Sequence, residues 1–306
     1  MLARVAAHLY WFGRHIERAE STARLVSVIA QLRLDMPAHL PFGWPDLILI
    51  LGAGDAYAAL FGAAGSDADV ARFLLTDERN PSSVAAALAK ARENLRCTQD
   101  IVPREALEYV NRVHWFVREH AGTLAPDVRL NHFIDDVIYG TRLVQGLLTG
   151  TLTDSDEAFR WIDLGFNIER ADMTTRIIDA RAKSLSAAEE TSYAEVLWRS
   201  VLKALSAEEV YRRQTRRPVT GPEVLRYLFR SSQSPRALRH CLLRMQSHLA
   251  NLPRSEPVLR QCARATALVG DADVEQLTQA RLSAFLDEVQ LELIRINDEL
   301  GATYFG

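Results

Sequence analysis

Apolar residues recur at intervals of three and four along nearly the whole chain, and strand-like alternation bounded by turns is hard to find. The pattern predicts long helices over residues 2–34, 44–62, 81–100, 103–120, 127–149, 156–184, 191–214, 235–250 and 272–300. Asn80 and Ser234 sit where helix N-caps belong, each followed by a proline whose missing N–H does no harm in a first turn. Pro103, Pro126 and Pro222 punctuate the chain in the same way. The most apolar stretch, 47–65, is interrupted by Asp55 and by Gly52, Gly54 and Gly62, so it reads as a buried core helix rather than a membrane span. The expected fold class is all-α.

The pattern also repeats. Residues 13–26, GRHIERAESTARLV, return as GFNIERADMTTRII at 165–178, 152 positions on. Three further matches follow in the same order. Trp44, Leu51 and Tyr57 correspond to Trp198, Leu205 and Tyr211; Phe73, Asn80, Leu88 and Leu95 correspond to Tyr227, Ser234, Leu242 and Leu249; residues 133–137 correspond to 285–289. Collinear matches at nearly constant offset predict two tandem copies of one helical unit, 1–152 and 153–306. The joint at 150–156 is too short for a free linker, so one fused helical bundle with pseudo-twofold symmetry is expected.

The repeated helix carries the candidate chemistry. Gly13, Glu17, Glu20 and Arg24 are spaced by four, three and four, which places them on one helical stripe, and Gly165, Glu169, Asp172 and Arg176 do the same. Glycine inside a helix costs about 1 kcal/mol relative to alanine, so it marks a place where a backbone or a ligand comes close. Two readings stay open. Either Glu20 pairs with Arg24 and Asp172 with Arg176 in an internal salt-bridge network, or the two stripes meet in one mixed-charge pocket between the copies. Converging carboxylates would take Mg²⁺ or Mn²⁺ through hard oxygen ligands. Interleaved arginines instead clamp carboxylates or phosphates and suit a zwitterionic peptide or amino acid.

Secondary candidates stand beside the stripes. Asp135 with Asp136, and Asp287 with Glu288, are adjacent acids, so at most one of each pair faces inward; either all are exposed, or Asp135 and Asp287 join the pocket. His15 has Asn167 as its counterpart, so it is either a satisfied or partly exposed histidine or it acts in one copy alone. Arg212, Arg213, Arg216 and Arg217 beside Tyr211 form either a solvated helix end or a site for an acidic partner.

Composition narrows the classes. Thirty-six Lys and Arg against 39 Asp and Glu give a formal charge of -3, with no global pull toward nucleic acid or anionic lipid. Three cysteines without a CxxC spacing indicate neither a disulfide framework nor a zinc site, and buried thiols are expected. The first nine residues hold one Arg and too short an apolar run for a secretory signal, so a cytoplasmic location is expected. P-loop, dinucleotide-binding, GxSxG and HExxH motifs are all missing.

The opening MLARVA, LYWFGRHIERAE at 9–20, IERAD at 168–172, FLL at 73–75, NPSS at 80–83, AREN at 91–94 and SPR at 234–236 resemble the repeated signature of the bacterial alpha-E family. The resemblance covers the chain from its start to near its end, with His15 where an aromatic is usual and Gln99 where an arginine is common. It implies a companion of circularly permuted ATP-grasp ligases and transglutaminase-like proteins, and hence peptide chemistry. There the ligase would activate a carboxylate as an acyl phosphate, and this chain would supply a site for peptide or amino-acid substrate. By carry-over, Glu17, Arg18, Glu20, Arg24, Glu169, Arg170, Asp172 and Arg176 are the substrate-site candidates. A metal-assisted enzyme in its own right and a purely structural adaptor are the alternatives, and no nucleic-acid or membrane partner is expected.

Overall fold

The computed structural model describes residues 1–35, 43–62, 66–122, 128–185, 193–277 and 279–306. Pro126, the expected helix starts at 127 and 191, and positions 63–65 of the apolar stretch lie outside them. The regular structure of the described residues is helical throughout, without a strand. In order they form α1 (Ala3–Asp35), α2 (Trp44–Ile50), α3 (Gly54–Phe61), α4 (Asp67–Leu75), α5 (Val84–Arg96), α6 (Arg104–His120), α7 (Val128–Thr151) and α8 (Glu157–Leu185). Then come α9 (Ala194–Ala204), α10 (Glu208–Thr215), α11 (Gly221–Arg230), α12 (Leu238–Leu249), α13 (Glu256–Asp271), α14 (Gln279–Leu300) and a π-helical turn, Gly301–Phe305. No described helix is long and apolar enough to cross a membrane.

Two compact units divide the chain, Met1–Phe166 and Asn167–Gly306. In the first, α1 packs on α5 and α7, and α6 packs between α5 and α7. Leu9, Phe12, Ile16, Ala19, Ala23 and Val26 form an apolar seam at alternating intervals of three and four, all fully buried, so α1 is the core around which its neighbours assemble. In the second unit α12, α13 and α14 pack in succession and α11 lies on α9, α12 and α13. The α8 segment of this unit is tied to its neighbours by Thr174 Oγ1 donating to the Arg236 carbonyl at 3.0 Å and by Ser283 Oγ donating to Asp179 Oδ1 at 2.6 Å.

Several expected boundaries give way to local backbone chemistry. The helix expected over 44–62 breaks at Gly52, whose φ of +62° is left-handed, with the Ala53 N–H closing on the Ile48 carbonyl at 2.9 Å. The helix expected to end at 214 breaks in the same way at Ser206 (φ +49°), with Ala207 bonded to the Leu202 carbonyl at 2.8 Å. Helices α4, α11 and α13 were not foreseen, and α13 is announced by proline in its first turn. Asn80 does not cap α5. Its Oδ1 accepts from Ser82 N and its Nδ2 donates to the Phe73 carbonyl, both at 3.0 Å, while Ser83 is the cap, its Oγ taking the Ala86 N–H at 3.1 Å. Ser234 likewise sits ahead of the true cap of α12, Ala237.

The glycines of the repeated stripe are explained by contact. A Cβ added to Gly13 would lie 2.2 Å from the Ile162 carbonyl oxygen, and one added to Gly165 would lie 2.1 Å from that of Tyr10. The start of α8 therefore touches α1 backbone to backbone within the first unit. Replacing Gly13 by Ala forces these backbones apart and should destabilise the protein by about 1 to 3 kcal/mol, the usual range for overpacking, despite the better helix propensity of alanine. Gly146→Ala on α7 meets nothing within 4 Å. It should be neutral or stabilising by up to about 1 kcal/mol, and urea melts of the two variants would show the contrast.

Cys97 is exposed, against expectation, whereas Cys241 and Cys262 are buried, and burial pushes the Cys262 thiol up to about 12. One of the three free cysteines should therefore react promptly with a disulfide reagent near pH 8, and the other two only on unfolding.

Candidate functional site

Two faces of α1 are buried at once, the apolar seam and the polar stripe beside it, and the stripe must therefore find its partners inside the protein. Glu17 is 0% exposed and Glu20 is 1% exposed. Glu20 forms a salt bridge with Arg24, one turn on and also buried. Helix α7 supplies further donors: Arg142 Nε to Glu20 Oε1 at 3.1 Å, and Gln145 Nε2 to Glu20 Oε2 at 2.8 Å. Gln145 also reaches Glu17 Oε2 at 3.5 Å, and Ser21 Oγ donates to Glu17 Oε1 at 3.2 Å. Two carboxylates thus face two guanidiniums, an amide and a hydroxyl. The side chain of Arg142 is 53% exposed and covers the centre on the solvent side.

The stripe of the second unit is built differently. Glu169 is buried, but Asp172 and Arg176 are 19% and 32% exposed, with Arg176 Nε on Asp172 Oδ2 at 2.9 Å. Aspartate is one methylene shorter than glutamate, so its carboxylate stays near the helix and meets its arginine alone among the ion pairs of the described residues. The expected pairs Glu20–Arg24 and Asp172–Arg176 are both present.

The other candidates separate. His15 is buried and its ring stacks on that of Trp11 at 5.8 Å. Arg18 and Arg170 are half-buried. Asp135 and Asp287 are exposed on α7 and α14 and do not face the buried centre of their own units. Arg217 is bound to Glu223 at 2.8 Å and Arg212 lies 3.6 Å from Glu208, so half of the basic cluster is already matched by acids. Arg142 and Gln145 were missed. Their signal was weak: two polar residues three apart on α7, beside buried Thr141 and Val144.

A divalent cation does not fit this donor set. Among the described residues no three His, Cys, Asp or Glu side chains are grouped to hold a metal ion, and the oxygens of Glu17 and Glu20 are turned toward N–H and O–H donors. A cleft of about 490 Å³ in the second unit, between Trp198, Val219, Leu225 and Leu282, includes none of the stripe residues.

Glu20→Gln removes the charge of the buried carboxylate that Arg24 and Arg142 share and should cost about 3 kcal/mol, in the range for breaking a buried ion pair. Arg142→Ala removes a half-exposed partner and should cost about 1 kcal/mol or less. Adding Arg24→Met to Glu20→Gln should restore part of the loss, and denaturant titrations of the three variants check the order.

Comparison with known proteins follows the same lines. Residues 1–305 match the Alpha-E family, described as a predicted alpha-helical domain with a conserved ER motif. An uncharacterised protein of Mycobacterium bovis is 26% identical over 270 residues, as is one of Mycobacterium tuberculosis, and a second M. tuberculosis strain carries one at 25%. Each alignment takes in 82% of this chain and 30% of the relative's own length. No solved structure matches. With the match running from residue 1 through residue 305, the chain belongs to the Alpha-E family.

Proposed function

We propose that the chain is the helical partner of an ATP-grasp ligase in peptide-bond formation or peptide modification, and that its polar stripes position helices rather than hold a metal. The observation that carries this reading is the closed centre on α1, where Glu20 is ion-paired with Arg24 and accepts hydrogen bonds from Arg142 and Gln145. A centre with its acceptors engaged serves geometry better than turnover. The relatives support it in a second way, since the matched stretch is 30% of a longer chain, as expected of a module that works beside others.

Internal duplication with pseudo-twofold symmetry belongs to the same reading. It is supported by the reciprocity of the glycine contacts, each glycine facing the carbonyl three residues before the other. The left-handed turns at Gly52 and Ser206, 154 positions apart, point the same way. Arg18 and Arg170, half-buried neighbours of the stripes, are the motif positions a carboxylate-bearing peptide would reach. The transglutaminase-like partner stands on the family resemblance alone. A purely structural adaptor is the second reading, favoured by the same closure of the centre.

Mixing the protein with an ATP-grasp ligase encoded beside its gene should give a complex and faster ATP turnover. Arg18→Gln should weaken the stimulation in a protein that still folds. Complex formation without stimulation would favour the adaptor, and no association with any such neighbour would sink both.

A further inference from the structure

Outside the polar stripe, the first unit carries a second constellation, on α5 and α6. Trp115 of α6 is 46% exposed, and two guanidiniums lie over its ring: Arg92 Cζ at 5.6 Å from the centroid and Arg118 Cζ at 5.4 Å. Arg92 belongs to the AREN segment at 91–94 and is aimed by its Nε, which donates to Asn111 Oδ1 at 2.6 Å. It has no carboxylate partner among the described residues. Among the described residues the acid paired with Arg118 is Glu78, at 3.7 Å from its Nε. Two cations therefore face one acid on a chain of net charge -3.

The residue beside Trp115 is unusual as well. His114 is buried, its ring edge-on to the indole at 5.0 Å, and its Nδ1 has no hydrogen-bond partner among the described residues. Burial holds its imidazole below the ordinary histidine range, Arg92 and Arg118 push the same way, and Glu78 opposes them. A buried polar atom left unpaired beside two under-compensated guanidiniums is costly in a purely structural arrangement. Asn111, the residue that aims Arg92, also lines a cleft of about 380 Å³ with Val102, Pro103, Arg104 and Leu107.

We propose that Arg92 and Arg118, both held over the Trp115 ring, form a binding site for the oxyanion group, carboxylate or phosphate, of a small molecule whose body lies in the cleft beside Asn111. Guanidiniums suit this task because their Nη groups present paired donors in a plane that matches either oxyanion. The indole fixes two otherwise mobile side chains, which lowers the entropy lost on binding. The site lies apart from the Glu/Arg stripe and does not depend on the ligase partnership.

The test uses the full chain, with inorganic phosphate and glutarate as separate probes, followed by calorimetry and by the His114 ring resonance. The expected result is saturable binding of at least one probe, with a shift of the His114 signal and an affinity about tenfold weaker in Arg92→Gln and Arg118→Gln, as for loss of one charge-assisted contact. Phosphate alone, glutarate alone or both would each support the site and identify the oxyanion it takes. If Arg92→Gln fails to fold, Arg118→Gln, whose side chain is half exposed, decides the matter. No saturable binding of either probe, or binding unchanged in a folded Arg118→Gln protein, overturns the proposal.

Discussion

Where α1 crosses the start of α8 there is no room for a side chain, because each glycine lies against a carbonyl of the other helix. Backbones this close admit only glycine. This contact places Glu17 and Glu20 within two turns of the crossing, deep in the unit where water does not reach. Buried carboxylates demand donors, and the chain meets the demand locally with Ser21 and Arg24 and from α7 with Gln145 and Arg142. Close packing and charge burial are thus one design: the first creates the second.

That design bears on what the protein can do. A carboxylate satisfied by two arginines and an amide is a poor general base and a poor metal ligand, since a proton or cation would have to displace good hydrogen bonds. The α5–α6 face differs from it: there Arg92 and Arg118 lie over Trp115, beside a buried His114 whose Nδ1 has no hydrogen-bond partner among the described residues.

Much of this was legible in the residues. Helical spacing gave the fold class, and the four-three-four spacing of Gly13, Glu17, Glu20 and Arg24 gave both the close approach and the ion pair. What escaped was of two kinds. Short helices such as α4 and α11 have too few turns for periodicity to stand out, and the break at Ser206 puts a non-glycine residue in a left-handed turn, which composition does not announce. Partners from another helix escaped too: Arg142 and Gln145 lie more than 120 positions from Glu20 in sequence, and only the packing of α7 on α1 makes them neighbours. Asp135 was ambiguous for the converse reason, since an acid on α7 reads the same whichever way it turns.

The difference between Glu20 and Asp172 has one further consequence. Both pair with an arginine four residues on, but the first pair is sealed under Arg142 while the second opens to solvent. Dissolved ions reach only the second and weaken it, because screening acts on charges in contact with water. One protein thus holds the same helical pair in two dielectric settings, indifferent to ionic strength in one unit and responsive to it in the other.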